Sequence, residues 1–249
     1  MAAPTRVVSL APGATATLRE LGVADRLVGV TTHGRAELAD PPPAVGGWLN
    51  PDLDRLTALD PDLVCTADDL QAEVRDALRD RGVRVHHVDA DTLDGALEGF
   101  EALGRAVGRP DAGAELARRA RTRLDAVRAR VADEPRPTVY CEEWSDPPMV
   151  AGNWVPDVVA VAGGAYPFLD AGDRSRRVAA AEVERADPDH VVLHVCGRGD
   201  RVDPAVVTDR DWTLDAAVHV VDDALLNQPS PNLLDAAERL ADLFHYRRI

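Results

Sequence analysis

Apolar residues in this chain come in two spacings. Short continuous runs, Arg6–Leu10 (RVVSL), Leu27–Val30 (LVGV), 62–66 and 84–88, read as buried strands. Between them apolar positions recur every three or four residues, which is helical spacing. The first helix follows the small-residue turn after Leu10 and ends at Gly22. The next is capped by Asn50 with Pro51 at its first position and turns Leu53, Leu56 and Leu59 inward. Helices over 70–81 (Leu70, Val74, Leu78) and 92–107 (Leu93, Leu97, Phe100, Leu103) follow. Strand and helix alternate, which predicts a mainly parallel sheet with helices on both faces.

From Asp111 to about Ala132 one stripe continues through Leu116, Ala120, Leu124, Val127 and Val131. A helix of that length reaches about 33 Å, enough to run from one lobe to another. Asp133–Pro137 stops it. The pattern then restarts with a strand over 137–143, a helix over 155–162, a strand over 190–195 and an amphipathic helix from Asn232 to His245. The expected organisation is an α/β chain of two lobes, each with a mainly parallel sheet flanked by helices. Residues 1–108 form the first lobe, 109–134 a rigid interlobe helix and 135–249 the second lobe. A short internal repeat supports this, since Asp54–Val64 and Ala181–Val191 both carry a helix that stops at Asp-Pro-Asp before a strand.

Tyr140–Gly164 breaks the pattern. It sets Trp144 and Trp154, two of four tryptophans in a chain that is 4% aromatic, among Pro147, Pro148, Gly152 and Pro156. A flat ring in a stiff loop can pave a ligand pocket at small entropic cost. The same ring can equally plug the underside of the loop.

Charge narrows the function classes. The chain has 43 acidic and 28 basic residues, a net charge of -15, and every basic residue is Arg. An acid excess spread over the whole length argues against nucleic acid or an anionic membrane as partner. It suits a surface kept hydrated in high salt, where screening relieves self-repulsion. No apolar run is long enough to insert in a membrane, and MAAPTRVVSLAPG lacks the parts of a signal peptide. A cytoplasmic, monomeric protein is the expectation, with an extracytoplasmic place the alternative if the native start lies upstream. Cys65, Cys141 and Cys196 are far apart and each ends an apolar run, so buried thiols are expected.

Catalytic motifs are missing. APGATAT has neither the glycines nor the Lys of a phosphate loop, and there is no GxSxG. Cys196 with His194 lacks an oxyanion arrangement. Strand histidines His86, His87, His190 and His194 are expected to be satisfied by backbone partners. His33, Glu142 or Glu143, and His194 would be the ligands if a metal were bound, though no ligand spacing demands it.

Five segments in order resemble the cobalamin-binding subgroup of ABC-transporter substrate-binding proteins. They are VVSLAPGATATLRELGVADRLVGVTTHG, VGGWLNPDLDRLTALDPDLV, EWSDPPMVAGNWVPDVVAVAGG, AAEVERADPDHVVLHVCGRG and NQPSPNLLDAAERLADLFH. The resemblance covers nearly the whole chain and implies a non-enzymatic, class III periplasmic-binding-protein-like fold. It implies a corrinoid ligand held between the lobes, with no cofactor and no metal ligated by the protein. Trp48 would line the first lobe's side, and Trp144, Pro147, Pro148, Asn153 and Trp154 the second's. Asn227 would supply an amide, and Cys196, Arg198 and His33 would lie at strand ends near the ligand. Metal-ion, iron-siderophore and haem receptors share the scaffold and remain the alternative. Docking on an ABC permease would use Asp54 and, because Ala181 stands at the matching place, the neighbouring Glu182.

Overall fold

The computed structural model describes residues 2–246, and the two spacings become two kinds of element throughout it. The described chain divides into two units. One takes the residues up to Ala90 with Asp94–Ala120, and the other takes Asp91–Leu93 with everything from Arg121 on.

The first unit runs β1 (Val7–Ser9), α1 (Pro12–Glu20), β2 (Leu27–Val30), α2 (Leu53–Thr57), β3 (Leu63–Ala67), α3 (Ala72–Asp80), β4 (Val85–Val88), α4 (Leu93–Ala106) and α5 (Pro110–Arg130). Its strands lie in the order β2-β1-β3-β4, all parallel. Because helices cover both faces, β1 and β3 are buried at every position, which is why their sequences read as unbroken apolar runs. Val8, Leu10, Val45, Leu56, Val64 and Leu78 form one core cluster, each apolar side chain stabilising the fold by about 1.5–3 kcal/mol.

Two helix starts differ from the sequence reading. Pro51 bridges to Gly46 in an extended pairing, so α2 starts later. Asp52, not Asn50, is its cap, accepting from the Arg55 N–H at 2.9 Å. The helix expected over 70–81 begins with a 3-10 turn at Asp69–Gln71, capped by Asp68, and becomes α-helical at Ala72.

The division between units falls inside α5. Its apolar stripe, Leu116 to Val131, is buried along its length. In the second unit its Arg123 holds Asp235 at 2.7 Å and Glu238 at 2.9 Å, while Arg130 holds Asp242 at 3.0 Å.

The second unit continues with β5 (Val139–Ser145), β6 (Pro148–Val150), α6 (Val155–Val161), β7 (Arg176–Arg177), α7 (Ala180–Ala186), β8 (His190–Leu193), α8 (Ala205–Thr208), β9 (Ala217–Val220), α9 (Asp223–Leu226) and α10 (Asn232–His245). The order is β7-β6-β5-β8-β9. The β5, β8 and β9 strands are parallel. The chain reverses at Asp146–Pro147, so β6 folds straight back on β5, and β6 and β7 pair antiparallel. The core of one face gathers Tyr140, Val150, Phe168, Val183, Val191 and Leu193.

The Asp-Pro-Asp repeat is a structural device in both units. Asp60 and Asp187 adopt the left-handed conformation, at φ 47° and 45°, that ends each helix turn. The second aspartate of each then takes an N–H from the residue just before the neighbouring strand. Asp62 accepts from Arg6 N–H at 2.9 Å, and Asp189 from Thr138 N–H at 2.7 Å.

Cys65 and Cys141 are buried, and burial pushes the Cys65 thiol up to about 12. Cys196 is exposed instead, because β8 ends at Leu193 and the chain turns outward at Gly197. No helix among the described residues is long and apolar enough to cross a membrane.

Candidate functional site

Four large apolar side chains among the described residues are strongly exposed: Leu49 (52%), Leu70 (60%), Trp144 (47%) and Tyr246 (42%). Three of them lie on one kind of ground, the C-terminal ends of parallel strands and the loops that follow: Leu49 and Leu70 in loops, Trp144 in the last residues of β5. Open α/β sheets bind ligands at those ends, where strands stop and loops diverge.

In the first unit that edge is organised by Gln71, which is wholly buried. Its Oε1 accepts the Ala67 N–H at 2.8 Å, and its Nε2 donates to Leu10 O at 3.2 Å and to Trp48 O at 2.6 Å. One amide thus fixes the ends of β1 and β3 and the backbone of the Trp48 loop, using its donors and acceptor together. Trp48 is half-buried there, next in sequence to the exposed Leu49, and its carbonyl is tied to the 3-10 turn that bears Leu70. His33 is exposed at the start of a 3-10 turn after β2. Asp54 is exposed on α2.

In the second unit the β5–β6 hairpin carries Trp144, Pro147 and Pro148. A bulge between Glu142 and Trp144 shifts the register against β6. The exposed Trp144 ring is tied by its N–H to Asp146 O at 2.8 Å. Pro147 is exposed after a cis bond from Asp146, and Pro148 is half-buried in β6.

Beneath the hairpin Glu142, 0% exposed, accepts from Tyr140 Oη at 2.8 Å, from Ser145 Oγ at 2.7 Å and from both Arg210 Nη atoms at 2.6 and 2.9 Å. Burial and the Glu142 charge raise the Tyr140 pKa well above its usual range, so the phenol stays a donor. Arg210 also donates to Ser145 O at 2.8 Å and lies over the Trp212 ring at 4.6 Å.

Trp154 is different. Its ring is only 7% exposed and its N–H donates to Leu226 O at 2.6 Å, so it packs as core between the start of α6 and the end of α9. Asn153, half-buried at φ 54°, receives Gly172 N–H on its carbonyl at 3.0 Å. The Gly of the Gly-Asn-Trp turn is explained by crossing backbone, since a Cβ on Gly152 would lie 2.2 Å from Asp173 O. Gly152→Ala is expected to cost about 1–3 kcal/mol through overpacking, read as a lower urea midpoint at unchanged slope.

At the end of β8 Asn227 Oδ1 faces His194 Nδ1, which therefore carries the ring proton, while His194 Nε2 is buried without a partner. Burial holds the wholly buried His194 below the usual histidine pKa. Asn227 also contacts Cys196. Although Cys196 is exposed overall, loss of water around its sulfur is the largest influence on it and, with the Asp223 charge, raises its pKa. Asp223 takes the Gly197 and Gly199 N–H groups at 2.6 and 2.9 Å, so the backbone donors beside the thiol are already used. Arg198 is exposed on this turn.

The structure therefore brings Trp154, Cys196 and Asn227 together around the α9 end, and groups Trp144 with Pro147 and Pro148. It corrects the backbone partners expected for the strand histidines. His87 meets Thr66 Oγ1 at 2.9 Å, His190 meets His219 at 2.9 Å and His194 meets Asn227, while the Nε2 atoms of His86 and His87 are buried without partners. Glu142 is fully engaged, and among the described residues no group of three His, Cys, Asp or Glu side chains could hold a metal ion. Glu182 is half-buried on α7 and pairs with Arg176, whose hydrogen bonds hold its carboxyl below the usual range. Gln71 and Arg210 escaped the sequence reading. A glutamine just after a strand was the available signal for the first, whereas nothing separates Arg210 from the other arginines.

A family profile described as periplasmic binding protein matches residues 7–219. The chain belongs to the periplasmic binding protein family. Among curated relatives, the cobalamin-binding protein of Halobacterium salinarum is 30% identical over 260 residues, covering 97% of this chain and 70% of that protein. The vitamin B12-binding protein of Vibrio cholerae is 28% identical over 254 residues, covering 94% and 87%.

Two solved structures share the fold. The periplasmic vitamin B12 binding protein of Vibrio cholerae superposes with a TM-score of 0.76 at 23% identity, covering 96% of this chain and 95% of that one. A periplasmic heme binding protein from Pseudomonas aeruginosa reaches 0.83 at 23% identity, covering 97% and 93%. Family membership corrects the expected cytoplasmic location. Periplasmic binding proteins work outside the cytoplasm, and the short N-terminal sequence carried no argument against that.

Proposed function

We infer that this chain binds cobalamin or a related corrinoid without transforming it. The observation that carries the reading is the exposure of Leu49, Leu70 and Trp144 at the C-terminal strand ends of their units. A corrin is a broad apolar disc with amide-bearing edges, and it rewards flat or branched apolar side chains with a few amides nearby. Trp48 with Leu49 and Leu70 in the first unit, and Trp144 with Pro147 and Pro148 in the second, are the proposed apolar contacts. Asn153 and Asn227 are proposed for the amide edge, with His33, Cys196 and Arg198 at its margin. Trp154 is proposed to act by shaping the turn below them, since its N–H is already committed. The relatives named for cobalamin and vitamin B12 support this ligand class over others on the fold.

Delivery to an ABC permease belongs to the same reading, with Asp54 and Glu182 as the acidic residues. An arginine arriving at Glu182 would have to exchange with Arg176.

Cyanocobalamin added in molar KCl should quench tryptophan emission and raise the thermal midpoint. A ligand at about 100 times its Kd adds about 2.7 kcal/mol to the folded state. No quenching and no shift at saturating ligand would overturn the reading.

A further inference from the structure

Glu142 is a buried carboxylate that the ligand contacts above do not use, and Arg210 reaches it from a segment 68 positions later in the chain. A buried ion pair is seldom the most stabilising way to fill a core, because desolvation consumes much of the attraction. What this pair supplies is direction. Two Nη atoms grip both Glu142 oxygens, and one of them also donates to Ser145 O. Ser145 Oγ returns a bond to Glu142. The two residues that Arg210 grips, 142 and 145, bracket Trp144, and the β-bulge lies between Glu142 and Trp144. An extra residue in one strand leaves the local ladder loose, so the bulge alone does not fix where the ring points. The Trp144 N–H holds only Asp146 O of the same hairpin, so the Arg210 fork, lying over the Trp212 ring, is what anchors Glu142 and Ser145 from outside it.

We propose that Arg210 is a positioning residue for the corrinoid, acting through Glu142 and Ser145 to aim Trp144. This rests on the corrinoid reading, and Arg210 itself need not touch ligand.

The test uses the full-length protein with 5-fluorotryptophan at its four tryptophans, the Trp144 resonance assigned from Trp144→Phe. Without ligand, Arg210→Met should move the Trp144 fluorine resonance toward the free tryptophan shift and narrow it. The Trp48 and Trp154 resonances should stay in place. Arg210→Met should then weaken cyanocobalamin binding about tenfold, and less than twofold in a Trp144→Ala background, as coupled residues require. If Arg210→Met does not fold, Arg210→Lys, which keeps the charge and loses the fork, carries the same measurements.

An unchanged Trp144 resonance, or an equal loss of affinity with and without Trp144, overturns the proposal. If the parent protein fails to bind cyanocobalamin, the functional reading falls, while the ligand-free fluorine spectra still decide whether Arg210 aims the ring.

Discussion

Glu142→Ala is expected to destabilise the protein by about 3–5 kcal/mol, the usual consequence of leaving a buried charge without its partner. Arg210 would lose both of its carboxylate bonds, and Tyr140 Oη and Ser145 Oγ would lose their acceptor. Burial already works against the Arg210 charge, and the Glu142 carboxylate outweighs it, raising the arginine's pKa. Without Glu142 the cost of burial is opposed only by Tyr140 and the bond to Ser145 O. The double variant Glu142→Met, Arg210→Met removes both charges and should recover much of the loss. Urea midpoints at constant slope measure each variant. A double variant as destabilised as the sum of the singles would show that the two residues do not act as a pair.

Acid should weaken the fold early. His86, on β4, is pushed by burial from its ordinary 6.5 down to about 4. The unfolded chain therefore takes up a proton near pH 6.5 that the folded chain refuses until about pH 4. The neutral ring's contribution is complete above pH 6.5 and is lost as pH falls through that window, at most about 3 kcal/mol by linkage. His87 and His194 are lowered too, first by burial, and add in the same direction. Asp62, held low by bonds from Thr5 and Arg6, yields only below the usual aspartate range, outside the window. His86→Leu should flatten the fall in thermal midpoint between pH 6.5 and 4. An unchanged slope would remove His86 from the account.

The sequence spoke most clearly where one face of an element decides its fate. The 232–245 helix and the Leu27–Val30 strand stand where their periodicity placed them. It spoke less clearly where a short-range contact overrides propensity. Asn50-Pro51 looks like a helix start, yet the pairing of Pro51 with Gly46 takes that position into an extended bridge. The strands β6, β7 and β9 are as short as β1 and β2 but mostly half-buried, so they lack the buried apolar runs that mark those two.

At the candidate site, the odd composition of Tyr140–Gly164 marked the segment that carries both Trp144 and Trp154. It could not tell a ring that faces solvent, Trp144, from one that fills the core, Trp154. That difference depends on Leu226 O lying 72 residues away to receive the Trp154 N–H. The fixing of Trp48 by Gln71 and of the Trp144 hairpin by Arg210 is likewise long-range, joining segments 23 and 65 positions apart.

Isothermal titration of the purified protein in molar KCl, with cyanocobalamin, haem and a ferric hydroxamate each in turn, decides which ligand class the protein takes. The predicted result is saturable one-site binding of cyanocobalamin, weakened by about 1–3 kcal/mol in Trp144→Ala, with the other two ligands much weaker. Saturable binding of haem or the ferric chelate, with none of cyanocobalamin, would contradict it.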